Sequence, residues 1–427
     1  MSEIKVTELK ELGEKYITAR HKSGLEITLV PKDFSVYYAL FSTKYGAADN
    51  CFKLEGEKEF TRVPDGIAHY LEHKMFENEN GEDTFERFAK FGADANAFTS
   101  TDVTAYLFSC TDHFKENLEI LLDYVSKPYF TPETVAKEQG IIGQEIKMGE
   151  DNPHRALYYN MLDALYKDNQ CKLNVAGTVE SISHITAELL YSCYNTFYNL
   201  SNMMLVVSGN TTMEEILEVC DRILPVKAPV KIIRHYNEEQ PTVNKKRVKA
   251  QFEVSKPMFA IGVKNPDVKT SSYDIMKQDA ECTLLFELLF GETSEFALDV
   301  YESGLVNGFF ASYSGGKVSS YGEIGGESDD PEAVYEKLTS YIERKKSEGF
   351  SEQDFERIKK AGYADVVRAL DSTRIPEQIT FRKIENMDFF EYADIFKNVK
   401  FEDMTPLLKT LFTEDHLCMS VVEPIKK

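Results

Sequence analysis

Basic residues are scarce in this chain. Forty-nine Lys and Arg stand against 71 Asp and Glu over 427 residues, a formal charge of −22. A chain so acidic has no basic face with which to release counterions from a polyanion, which excludes a general nucleic-acid binder and opposes docking on an anionic membrane. Cysteine is sparse and patternless. Cys51, Cys110, Cys171, Cys193, Cys220, Cys282 and Cys418 are odd in number, scattered, and never spaced C-x-x-C. They read as reduced core thiols, excluding a disulfide framework or a zinc ribbon. No long apolar run exists either. The longest uncharged stretch, Leu189 to Met213, is broken by Asn195, Asn199, Asn202 and Asn210, amides that are costly in lipid. The opening MSEIKVTELKELGEKY has no apolar stretch before a cleavage site. Cytoplasmic localisation is therefore expected, with no membrane partner. G-x-S-x-G and the P-loop are missing, and no pair of E-x-x-H helices exists for a di-iron site.

What is present suits a large folded core: 42% of residues are hydrophobic, and the length favours two to three domains. Strand-like segments occur at 24–30 and 35–46, and helices at 66–77 and 84–91, the second stopped by Gly92. A hairpin pattern covers 95–110. Helices are predicted at 114–126 and 132–148, the latter opened by Thr131-Pro132, then a helix at 187–198 and a strand at 202–209. After a Pro-punctuated, locally basic stretch the order repeats: strand 259–263, helices 279–289 and 294–302, hairpin 309–324, helices 330–348 and 352–370, strand 417–422. The pattern predicts an α/β (α+β) fold of two homologous domains, each a mixed, largely antiparallel sheet covered by helices. The expected boundaries are 1–223 and 249–427, with 224–248 an exposed linker.

One segment carries chemistry: PDGIAHYLEHKMFE. His69 and His73 are spaced i, i+4 on a predicted helix and share a face with Glu72. Two such imidazoles can take two corners of a tetrahedral zinc site, and an adjacent carboxylate can accept a proton from water. The order is H-x-x-E-H, inverted relative to the commoner H-E-x-x-H. Bare five-residue patterns arise by chance, but of eight histidines only these two are so spaced. A third ligand must come from a facing element. Glu138 and Glu145, seven residues apart in KEQGIIGQEIKMGEDNP, lie nearly in line on one helix face, and Ile141, Ile142 and Ile146 mark that helix as packed. Glu145 is the candidate ligand, and Glu138 the candidate acceptor for a ligating imidazole.

These residues resemble the pitrilysin/insulysin-type inverzincin zinc metallopeptidases, in the half-size branch related to mitochondrial processing peptidase and to the paired peptidases of Bacillus. The likeness spans the chain: GIAHYLEHKMFE, the G-x-x-x-N-A-x-T stretch from Gly92 to Thr99, the two-glutamate helix ending in GEDNP, Gly177-Thr178, NMMLVVSGN and GETSEF. The resemblance implies one zinc per chain on His69, His73 and Glu145, Glu72 as general base, and Glu138 supporting the ligands. It also implies an edge strand at Asn96, Ala97 and Phe98 that pairs with substrate main chain, and two domains forming half of a clam-shell. Relatives carry an Arg and a Tyr in a second-domain segment like L-R-E-x-x-G-L-A-Y. Here DVYESGLVNGFF has Tyr301 and Asn307 near those places. The expected function is zinc-dependent endopeptidase hydrolysis of extended peptides. The chain would be the metal-bearing subunit of a heterodimer whose related partner supplies the Arg/Tyr pair, or a homodimer. The alternative is a non-catalytic subunit or peptide-binding scaffold of the same fold.

Overall fold

Apolar segments rich in β-branched and aromatic residues pair, in the computed structural model, into two large mixed sheets and a small antiparallel one; residues 4–425 are described. In chain order the first strands are β1 (Ile4–Leu9), β2 (Glu14–Arg20), β3 (Glu26–Pro31), β4 (Tyr37–Thr43), β5 (Cys51–Leu54) and β6 (Thr61–Arg62). Next come β7 (Asp94–Thr99), β8 (Thr104–Cys110), β9 (Met203–Gly209) and β10 (Ile232–Arg234). The last are β11 (Arg247–Phe252), β12 (Met258–Lys264), β13 (Asn307–Gly315), β14 (Ser320–Glu327) and β15 (Leu417–Pro424). The first large sheet runs β1-β2-β3-β9-β4-β8-β7, and the second β11-β15-β12-β14-β13; the small sheet has the order β10-β5-β6. Strand β9 is buried throughout, and accordingly NMMLVVSG reads as a continuous apolar run.

The two large sheets share a motif. In the first, β3 and β9 are parallel and the steps to β4, β8 and β7 are antiparallel. In the second, β11 and β15 are parallel and the steps to β12, β14 and β13 are antiparallel. The first sheet adds the β1–β2 hairpin, which the sequence reading passed over because alternating charges in IKVTEL disguise an edge strand. Helices α1 (Ile67–Lys74), α2 (Thr84–Ala89), α3 (Phe114–Ser126), α4 (Pro132–Glu150) and α5 (Pro153–Leu165) follow the expected grammar except for α5, which was missed.

The expected contiguous domains give way to interleaved units. One comprises Met1–Ile146, Leu173–Tyr236 and Arg368–Ile384; the other comprises Lys147–Lys172, Asn237–Val367 and Glu385–Lys427. Burial of apolar helix faces decides this. Asn152 caps α5 through the amides of His154 and Arg155, and α5 buries Leu157, Met161, Leu162 and Leu165 with Met258, Ala260 and Val422 of the second sheet. Conversely the helix Ile375–Ile384 belongs with the first sheet: Lys383 meets Glu26 at 2.5 Å, and the Ser208 hydroxyl donates to the Thr373 carbonyl at 2.7 Å.

The stretch 224–248 is likewise not an exposed linker. β10 pairs antiparallel with β5. Arg234 Nε donates at 2.9 Å to Asp49, which is 2% exposed and also accepts from the Tyr236 hydroxyl (2.9 Å) and the Gly46 amide (3.0 Å). Lys231 pairs with Glu55 and Lys245 with Asp163. Arg234, Lys231 and Lys245 are thus engaged in ion pairs within the protein. Burial pushes the Asp49 carboxyl up, and Arg234 pulls against that shift. Removing one partner strands a buried charge, so Arg234→Ala should destabilise the protein by about 3 kcal/mol in chemical denaturation; an exposed linker would give almost no change.

Candidate metal centre

The entry to α1 is set by two glycines. Gly66, at the N-terminus of α1, has φ +90°, and Gly177 has φ +73°, both in the left-handed region. A Cβ on Gly66 would lie 2.5 Å from the Ala176 carbonyl oxygen, and one on Gly177 would lie 2.5 Å from that of Asp65. Only glycines allow these two turns to approach so closely. Ser181 Oγ donates to the Asp65 carbonyl and Asn50 Nδ2 to the Asp65 carboxylate, each at 2.8 Å. Below the entry, Ile67, Ala68, Tyr70 and Leu71 fill the first core. The Tyr70 hydroxyl donates to the Val135 carbonyl of α4, and Lys74, fully buried, pairs with Glu77. The helix is gripped on its apolar face, and its other face carries the histidines.

His69, His73 and Glu145 converge, with one donor atom from each lying within 4.8 Å of the others. His69 Nε2 is 3.6 Å from Glu145 Oε1, and His73 Nε2 is 3.5 Å from Glu145 Oε2. Ligands at about 2.0–2.2 Å from a tetrahedral zinc stand roughly 3.3–3.6 Å apart, so the residues present fit such an ion in donor type and spacing. His73 Nδ1 is 3.0 Å from Glu138 Oε1, and Glu138 is 8% exposed. On α4, Ile142 and Ile146 enter the core while Ile141 turns to solvent, against the expectation that all three pack. Burial alone lowers the affinity of His73 for a proton. The Glu138 bond and the charges of Glu72, Glu138 and Glu145 outweigh it, leaving the imidazole above its ordinary pKa.

Glu72 stands beside these groups, 7% exposed. Burial pushes its carboxyl up, helped by Glu145 and opposed by a hydrogen bond from Thr99 and by His73. That bond, Thr99 Oγ1 to Glu72 Oε2 at 2.6 Å, joins α1 to the end of β7. Thr99 was noticed only as the last letter of N-A-x-T. Its period-2 phase with Ala95 and Ala97, which pack on the first core, is the signal that places it on the α1 side. Asn96, Ala97 and Phe98 lie on β7, the edge of the first sheet, paired with β8 on one side only. Asn96 Oδ1 accepts the Ala97 amide at 2.9 Å, and Phe98 turns to the opposite face beside Tyr38, Leu40 and Leu107.

Known proteins resemble the chain throughout. The family model described as Insulinase (Peptidase family M16) matches residues 61–179, and the Peptidase M16 inactive domain model matches 184–361. An uncharacterized zinc protease of Bacillus subtilis, YmfH, is 37% identical over 99% of both chains. The chain belongs to the M16 peptidase family. A second B. subtilis uncharacterized zinc protease, YmxG, is 23% identical over 86% of this chain and 91% of its own length. An M16-like peptidase from Alicyclobacillus acidocaldarius superposes with TM-score 0.93 at 35% identity, covering 98% of this chain and 100% of its own.

Within this M16 chain, the inverted motif sits in the first unit alone. In the second, Tyr301 ends the helix Glu295–Glu302 with its side chain 78% exposed, and Asn307 begins β13, its amide 3.3 Å from Glu327. No cationic side chain occupies either place. The glycine contact at the entry to α1 yields a direct test. Gly177→Ala combines a disfavoured φ with a backbone clash and should cost at least about 2 kcal/mol. Gly92→Ala, where a Cβ meets nothing within 4 Å, carries only the conformational part. Thermal denaturation should rank Gly177→Ala well below Gly92→Ala; equal losses would remove the close approach as the cause.

Proposed function

We propose that this chain is a zinc-dependent endopeptidase acting on extended peptides. The observation that carries this reading is the convergence of His69 and His73 of α1 with Glu145 of α4, beside a buried Glu72 that shares the α1 face of the two histidines. The zinc ligands are His69 and His73 through Nε2, with Glu145. Glu138, 3.0 Å from His73 Nδ1, would accept that N–H and leave Nε2 free to ligate the zinc. Zinc held there supplies Lewis acidity, making water acidic and polarising the scissile carbonyl. Glu72 takes the proton from water and returns it to the leaving amine. The outer edge of β7, at Asn96, Ala97 and Phe98, offers main-chain groups to an extended substrate as an added strand. Such a mode excludes folded substrates, whose backbone groups are already paired.

The chain is proposed to act as the metal-bearing half of a heterodimer in the cytoplasm. Tyr301 and Asn307 leave it without the Arg and Tyr of its relatives, and B. subtilis holds two zinc proteases similar to it. All seven cysteines are free and buried, in keeping with a reducing compartment. Among the described residues no helix is long and apolar enough to cross a membrane. The same lack of Arg and Tyr favours a second reading, a non-catalytic subunit of this fold, and experiment separates the two.

Metal analysis should find about one zinc per chain, lost in a His69→Ala, His73→Ala double variant. Glu72→Gln should keep the zinc and lose roughly 100- to 10,000-fold in kcat, whereas Glu145→Gln should weaken the metal itself. A wild-type chain that stays metal-free in added zinc refutes the site. For the partner, the isolated chain should cleave model peptides slowly. A half-size M16 chain with the Arg and Tyr in place should raise kcat about 100- to 1,000-fold by supplying an oxyanion donor. Full activity of the isolated chain refutes the heterodimer. A zinc-loaded chain that is inert in every combination supports the scaffold.

A further inference from the structure

We propose that Thr99 is the positioning residue for Glu72, and that it decides which carboxylate oxygen handles the proton. The inference rests on the reading of Glu72 as general base. A threonine hydroxyl has one proton to give. Two acceptors lie near Thr99 Oγ1: Glu72 Oε2 at 2.6 Å and Thr104 Oγ1 at 3.4 Å. The charged, nearer oxygen wins, because a hydrogen bond to a carboxylate is shorter and stronger than one to a hydroxyl. Thr104 cannot compete for the carboxylate, since its own proton goes to the buried Tyr45 carbonyl at 2.9 Å. Glu72 Oε2 is thereby held, and Oε1 is the oxygen left to accept a proton from water.

The support behind Thr99 is stiff. As a β-branched residue it has restricted χ1 freedom, and it closes a strand whose next residue is pinned at both ends. The Ser100 amide donates to the Val103 carbonyl at 2.8 Å, and the Ala47 and Ala48 amides donate to the Ser100 and Thr101 carbonyls at 2.9 Å. The loop supplying those amides is the one that Asp49 ties to Arg234 and Tyr236. Thr99 also belongs to β7, the strand proposed to pair with substrate. One element therefore sets both the register of the peptide and the direction of the base, so displacement of β7 would move both together.

The test uses the zinc-loaded full chain, with its partner chain present. Thr99→Val keeps shape and strand preference but removes the proton. Its kcat should fall roughly 10- to 100-fold, the worth of one hydrogen bond to a charged group. KM and zinc per chain should stay at wild-type values. Thr99→Ser, which restores the hydroxyl, should recover kcat to within a few fold. In a Glu72→Gln background Thr99→Val should cause no further loss, because Thr99 acts through Glu72. A wild-type kcat for Thr99→Val overturns the proposal. So does a rise in KM or loss of zinc without a change in kcat, or an equal deficit in the Val and Ser variants, since each marks a merely structural strand residue. Should the Val variant fail to fold, Thr99→Ala carries the same comparison. If Glu72→Gln is inactive while Thr99→Val is not, only this inference falls. If Glu72→Gln hydrolyses at the wild-type rate, the general-base reading falls with it.

Discussion

Three carboxylates, Glu72, Glu138 and Glu145, crowd against two imidazoles on one side of α1, with Glu138 and Glu145 within 3.0–3.6 Å of histidine nitrogens. Burial and the neighbouring Glu145 push the Glu72 carboxyl up, while Glu138, Glu72 and Glu145 together hold the His73 imidazole above its ordinary pKa. Under the proposed reading, a divalent cation would bring positive charge to this cluster, and its binding free energy would add to the stability of the fold. Holding the groups ready needs a helix that cannot drift. The apolar grip on Ile67, Ala68, Tyr70 and Leu71 and the glycine contact at its entry supply that rigidity.

The second constraint is the open edge of β7. An unpaired edge is normally a hazard for aggregation. Here it is short, six residues, with an exposed Asp94 and an Asn96 side chain occupying the Ala97 amide. Those features blunt the edge against pairing with other sheets. The placement of Thr99 at the end of this strand puts the edge and Glu72 in one mechanical unit. Under the proposed function, substrate seating and proton transfer would then be properties of the same few residues.

The five-strand motif is repeated, but the H-x-x-E-H segment stands in one copy alone. Between β12 and β13, where the first unit has α1 between β4 and β7, the second unit has the helix Ser272–Phe290. That helix buries Ile275, Met276, Ala280, Leu284 and Leu288 and carries no histidine. The second copy keeps the sheet order because the order is what buries its core. Nothing in that burial requires ligand residues, so they are free to differ.

Much of this was readable from the chain alone. Helix and strand positions followed from apolar periodicity, because the spacing of buried residues along one element is a local property. The H-x-x-E-H spacing put His69, Glu72 and His73 on one face by helix geometry, before any neighbour was known. Other features were not local. The helices 153–165 and 375–384 carry ordinary amphipathic patterns that fit either sheet. Which unit received them was decided by shape-complementary burial over 100 or more positions of sequence separation, and no window of sequence contains that. Arg234 looked like linker charge until its partner Asp49, 185 positions away, was placed beside it. Thr99 looked like strand filler until its hydroxyl met Glu72. Local pattern was enough for the elements, the histidine-bearing helix and the acidic character. Only the tertiary structure decided domain membership and the partners of buried polar groups, because a hydrogen bond or ion pair is specified by three-dimensional distance, which period and composition do not encode.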